Sequence, residues 1–145
     1  MPNAYSTKLA KWLNKILKPF IPQHNTVKDT FEFTDYLKNL QFHKTLHMSS
    51  LDVKSLFTSV PIEQTIKHIL QTVPEEEIPI SYHTLSELLR LSWTKVLFSF
   101  DNKMYLQNDG MCMGSNLGPT MAAFCMDLIE QEYEDIPFKP ILYKR

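Results

Sequence analysis

Asp52 ends a short apolar run, Leu46 to Val53, and an aromatic, Phe57, follows five residues later. Pro61 closes the stretch where a helix can begin, because its fixed φ and missing N–H suit a first helical turn. A carboxylate at a strand end, facing a cleft, is a hard-oxygen ligand. Magnesium takes one or two such carboxylates along with water and phosphate oxygens. The carbonyl of Val53 would add a backbone oxygen. Nucleotidyl transfer uses two divalent ions roughly 3.5–4 Å apart, one at the attacking hydroxyl and one at the leaving group. Taken alone, Asp52 equally suits a turn or cap, and Phe57 equally suits a core.

The second concentration of unusual residues is Gln107-Asn-Asp-Gly-Met-Cys-Met-Gly-Ser-Asn-Leu-Gly-Pro119. The chain has three glycines, Gly110, Gly114 and Gly118, and all fall within nine residues. Glycine allows left-handed backbone and close approach, so this freedom is confined to one loop. Such a loop either makes a tight entry into a helix or brings backbone against a nucleotide, with Ser115 able to donate to a phosphate or template. His43 and His47, spaced i, i+4, have the spacing of zinc ligands on a helix. They lack an intervening glutamate base and an evident third ligand, so a loop leading into the strand is the better reading.

The elements that must position these residues follow from periodicity. Leu9, Trp12, Leu13, Ile16 and Leu17 recur at helical spacing from about Tyr5 to Lys18, and Pro19 ends the helix. A second helix is expected near Thr26, with Asp29 as capping partner, carrying Phe33, Tyr36, Leu37 and Leu40 toward a core. Leu46 to Val53 suits a largely buried strand. Helices are expected after Pro61, from about Ser81, and from Pro119. Val96–Phe100 and Lys103–Gln107 flank Asp101-Asn102 as a hairpin. Pro137 and Pro140 bound a loop before a last strand, Ile141 to Lys144. The order predicts an α+β arrangement.

At 145 residues and 43% hydrophobic, the chain can bury one ordinary core. A net charge of −1 does not mark a nucleic-acid binder. Charge is nevertheless uneven: Lys8, Lys11, Lys15 and Lys18 share a segment without acids, while Asp127, Glu130, Glu132, Glu134 and Asp135 cluster later. Both runs read as solvated helix faces. Two cysteines make no disulfide framework. No secretory signal and no membrane-length apolar run are evident, so the expectation is a soluble, reduced, intracellular chain.

The segment from Ser50 to Pro61 and the glycine loop together resemble motifs A and B of a reverse transcriptase, closest to the Penelope-like branch. Asp52 and Phe57 have the spacing of the motif A aspartate and the aromatic that excludes a ribonucleotide 2′-hydroxyl. Gln107, Gly110, Met113, Gly114, Ser115, Leu117 and Pro119 match the family's Gln-x-x-Gly-x-x-Met-Gly-Ser-x-Leu-x-Pro. Met113 is characteristic of the Penelope-like branch, whereas Gly118 departs from a more usual serine. Helices before motif A are also similar, so the resemblance spans nearly the whole chain.

The resemblance implies a partial polymerase right hand of fingers and palm, with a small antiparallel palm sheet covered by helices. Residues 1–45 would be the helical segment before motif A, 46–61 motif A, and 62–106 the intervening helices and hairpin. Residues 107–145 would be the motif B loop, its helix and the start of the motif C strand. Asp52 would be catalytic and, with Val53, would hold Mg2+. Val53, Phe57, Gln107, Met113 and Gly114 would bind the nucleotide, and Gly110 and Ser115 the template. Partners would be an RNA or DNA template-primer and deoxynucleoside triphosphates, in the nucleus and away from membranes. The Tyr-x-Asp-Asp turn is expected beyond Arg145 and the triphosphate-gripping arginine segment before Met1, so the chain is expected to be inactive alone. It is also expected to self-associate through unpaired strands. The alternative is a non-catalytic remnant that binds nucleic acid or protein through Lys8 to Lys18.

Overall fold

A computed structural model describes residues 6–41, 47–93, 96–107, 110–111, 114–133, 137 and 139–145. Six α-helices and one hairpin make up its named elements, with single 3-10 turns at Lys18–Phe20 and Glu75–Glu77. The helices are α1 (Ser6–Leu17), α2 (Thr30–Asn39), α3 (Leu56–Ser59), α4 (Ile62–Thr72), α5 (Tyr82–Trp93) and α6 (Gly118–Tyr133). Strands β1 (Val96–Phe100) and β2 (Lys103–Gln107) pair antiparallel, with Leu97 opposite Leu106 and Phe98 opposite Tyr105. The arrangement is the expected α+β one, rich in helix with a small two-stranded sheet.

The core lies where α4 packs on α5 and α6, and α1 packs on α5. Leu13 and Leu17 of α1, Ile66 and Ile69 of α4, Leu85 and Leu89 of α5, and Met121 and Phe124 of α6 are all buried there. Each pair follows the i, i+3 or i, i+4 spacing that puts two side chains on one helix face. Each fully buried side chain of this size contributes about 1.5–3 kcal/mol relative to exposure. In the hairpin turn Asp101 and Asn102 adopt φ of 49° and 55°, the paired left-handed geometry that follows the twist of the flanking strands.

Three local expectations are corrected. Residues 47–53 form no strand: they are irregular, with Met48 86% and Leu51 88% exposed. A strand needs a neighbour to take its backbone donors and acceptors, and among the described residues the only ladder joins β1 to β2. The helix expected near Thr26 starts at Thr30, where Asp29 is the N-cap and accepts from the Glu32 amide at 2.9 Å. The Glu32 carboxylate in turn accepts from the Lys28 amide at 2.6 Å, so the capping pair is Asp29 with Glu32. α2 also buries no residue, and Tyr36 and Leu37 face outward. The ammonium of Lys144 sits 4.7 Å from the centre of the Tyr36 ring.

The end of the chain is not a strand either, yet its backbone is partly paired. The Arg145 amide donates to the Asn25 carbonyl, and the Val27 amide donates to the Arg145 carbonyl, both at 2.9 Å. The acidic run likewise departs from expectation, for Asp127 and Glu130 are buried while Glu132 is exposed. Asp127 and Glu130 follow Phe124 at three-residue steps on α6, so they share its inward face.

Candidate active site

α3 brings the first motif to the second. Its start is the left-handed Ser55 at φ 55°, whose carbonyl accepts from the amides of Thr58 and Ser59 at 3.1 Å each. This places Phe57 and Thr58 against the glycine loop. The Met111 amide donates to the Phe57 carbonyl at 2.7 Å. A Cβ at Gly110 would lie 2.5 Å from the Thr58 carbonyl oxygen and 2.6 Å from its Cα. Glycine is therefore required there twice over, by this contact and by its φ of 71°. The Phe57 ring lies against the start of α6, where a Cβ on Gly118 would meet its Cε1 at 3.5 Å.

The loop then turns into α6. Gly114 has φ 88° with open space around its α-carbon. The Ser115 hydroxyl accepts from the Leu117 amide at 3.3 Å, and the Ser115 carbonyl accepts from the Gly118 amide at 3.1 Å. The hydroxyl proton of Ser115 is thus still available to donate. Gln107 is half-buried at the end of β2, immediately before the loop. Met113 lies outside the described residues.

An open groove of about 460 Å³ adjoins this junction, lined by Thr58, Ser59, Pro61, Glu63, Gln64 and Gly110. On its rim the Arg90 guanidinium grips Glu63 with two bonds of 2.9 and 2.8 Å. That hydrogen bonding holds the Glu63 carboxyl below the usual carboxylate range.

Asp52 and Val53 are exposed on the irregular segment that leads to α3, and not at a strand end as expected. Among the described residues no hydrogen bond or ion pair engages the Asp52 carboxylate. One free carboxylate followed by a main-chain carbonyl fits part of a magnesium donor set, since that ion takes few protein ligands and completes its shell with water and phosphate. Phe57, Gly110 and Gly118 are therefore brought together, and Gly114 and Ser115 stand at the helix entry. Sequence reasoning missed Thr58 and the buried Met111, which join the two motifs through backbone that no side-chain pattern announces.

A family model described as reverse transcriptase (RNA-dependent DNA polymerase) matches residues 2–143. The chain belongs to the reverse transcriptase family. Comparison with curated proteins and with solved structures found no match. Reverse transcriptases are RNA-directed DNA polymerases that generally use a divalent metal such as Mg2+ and bind a template-primer and deoxynucleoside triphosphates. No helix among the described residues of this reverse transcriptase chain is long and apolar enough to cross a membrane.

Proposed function

We propose that this chain supplies the motif A and motif B portion of a Penelope-like reverse transcriptase that works by two-metal nucleotidyl transfer. The observation that carries the reading is the backbone junction of the two motifs, Met111 amide to Phe57 carbonyl at 2.7 Å with Gly110 pressed on Thr58. It gives two sequence-distant segments one fixed relation, as a shared nucleotide site requires.

In this reading Asp52 and the Val53 carbonyl hold one Mg2+, which when bound supplies charge neutralisation at the reacting phosphate. Phe57 excludes the 2′-hydroxyl by placing a rigid ring where that hydroxyl would fall. Gln107, Met113 and Gly114 contact the nucleotide, while Gly110 and the donating hydroxyl of Ser115 contact the template. One carboxylate does not hold two metals, so the 145-residue polypeptide assayed alone does not extend a primer. The proposed place of work is nuclear.

The test uses a polypeptide that also carries the Tyr-x-Asp-Asp turn. Asp52→Asn is expected to lower primer extension by at least about a hundredfold, equivalent to roughly 3 kcal/mol in the barrier, with thermal unfolding unchanged. Phe57→Ala is expected to admit ribonucleotides. An unaltered deoxy/ribo ratio in Phe57→Ala removes the gate, and near-normal extension in Asp52→Asn removes the metal role.

A second reading, a non-catalytic nucleic-acid binder, is favoured by one observation: Lys8, Lys11, Lys15 and Lys18 are all exposed along α1 and its following turn. Replacing the four with glutamine separates the readings. Loss of binding with no dependence on Asp52 or Phe57 supports the second.

A further inference from the structure

The part of the molecule that the polymerase reading leaves unused is a buried polar cluster between α6 and the turn at His24. Asp127 and Glu130 are 1% and 4% exposed, whereas the His24 side chain is half exposed. One ligating atom from each of the three lies within 4.8 Å of the others. We propose that His24, Asp127 and Glu130 form a binding site for a divalent transition-metal ion of the zinc class.

Three observations carry this. The first is an incomplete carboxylate. Oδ2 of Asp127 takes His68 Nε2 at 2.6 Å and Gln131 Nε2 at 3.2 Å, but buried Oδ1 has no hydrogen-bond partner. His24 Nε2 approaches it at 3.3 Å. A buried carboxylate oxygen whose contact is a long imidazole approach and no hydrogen bond is costly, and a cation is the partner that satisfies it best.

The second is the outer ring of contacts. Glu130 accepts from Asn25 Nδ2 at 3.0 Å on one oxygen and from the Tyr143 hydroxyl at 3.1 Å on the other. Arg145 Nε lies 2.8 Å from that second oxygen. His68 and Gln131 do the same for Asp127. Ligating carboxylates held by outside partners keep their orientation, and those partners set affinity as much as the ligands do.

The third is access. Two buried carboxylates face the Arg145 guanidinium and, beyond it, the Lys144 ammonium that donates to the His24 carbonyl at 2.9 Å, and the half-exposed His24 edge gives an ion a way in. One imidazole nitrogen with two carboxylates suits zinc or cobalt, whereas magnesium and calcium prefer all-oxygen sets. Zinc ligands at about 2.0–2.2 Å sit closer together than 4.8 Å, so His24 swings inward on binding, leaving a fourth position for water. The bound ion cross-links the His24 turn to α6.

The experiment titrates Zn2+ into the metal-stripped 145-residue chain, read by calorimetry and by thermal unfolding. One saturable equivalent with a raised unfolding temperature is expected. His24→Ala, a change at a half-exposed side chain, is expected to weaken binding at least tenfold and to abolish the thermal shift. The isosteric Asp127→Asn is expected to do the same. Co2+ is expected to show d–d absorption without a thiolate charge-transfer band, and Mg2+ in equal excess is expected not to displace zinc. Equal binding by wild type and His24→Ala, a thiolate band, displacement by Mg2+, or absence of saturable binding each overturns the site.

Discussion

Gly110 and Gly114 both hold left-handed backbone, yet a side chain at each would meet different surroundings. At Gly114 nothing lies within 4 Å of an added Cβ, so Gly114→Ala pays for conformation alone, about 1–2 kcal/mol. At Gly110 the added atom would fall 2.5 Å from the Thr58 carbonyl oxygen, and that neighbour is backbone that cannot swing aside. Gly110→Ala therefore bears the same conformational cost plus displacement of α3, about 3 kcal/mol or more in total. Urea unfolding of the two variants checks this. Equal losses would mean that α3 and the loop do not meet as described. At this scale the sequence carried the concentration of glycines in one loop. It did not carry which glycine touches what, because the Thr58 backbone is brought there by a four-residue helix with no periodic signal.

Ser115 shows how a loop residue shapes the entry to a helix. Its hydroxyl oxygen accepts from the Leu117 amide, in a two-residue turn that sets the chain into α6. Ser115→Ala is expected to cost about 0.5–1.5 kcal/mol in urea unfolding, the ordinary loss for one hydrogen bond, and Ser115→Thr is expected to restore most of it. A loss near zero would show that the turn does not hold the entry to α6. Elements were legible where an apolar stripe recurs over several turns, as in α1, α4, α5 and α6. The stripe on α2 was read correctly as helix but wrongly as core, because spacing says which side is apolar and not what covers it. The strand expected before Asp52 failed for a related reason: an apolar run does not reveal its ladder partner. Asp127 and Glu130 were taken for a solvated face although their three-residue steps from Phe124 put them inward. Motif spacing singled out Asp52, Phe57 and the loop, and of these the structure joins Phe57 to the loop. The Phe57–Met111 junction was not, since backbone hydrogen bonds leave no mark on residue type.

Across the whole molecule, apolar surface is divided unevenly between the helical core and two exposed regions. One is the segment around Met48 and Leu51. The other is the hairpin, where Leu97 and Phe100 of β1 and Met104 and Leu106 of β2 are all exposed, Phe100 to 70%. Phe98 and Tyr105 stack across the two strands at 5.5 Å, which covers little else. Among the described residues the sheet has two strands only, so β1 and β2 each present an outer edge of backbone donors and acceptors. Edges of this kind beside apolar side chains template pairing with another chain. The 145-residue chain is therefore expected to self-associate as its concentration rises through about 10–100 μM, in the range where exposed strands and apolar surface drive aggregation. The carriers are the hairpin and the 47–53 segment. At the chain end the Arg145 backbone already pairs with Asn25 and Val27. Leu97→Lys combined with Phe100→Lys is expected to leave urea unfolding within about 0.5 kcal/mol per site, as surface substitutions do. Sedimentation velocity should show the double variant as monomer at concentrations where the parent chain associates. A parent that stays monomeric to 100 μM would mean that the hairpin's apolar surface does not drive self-association.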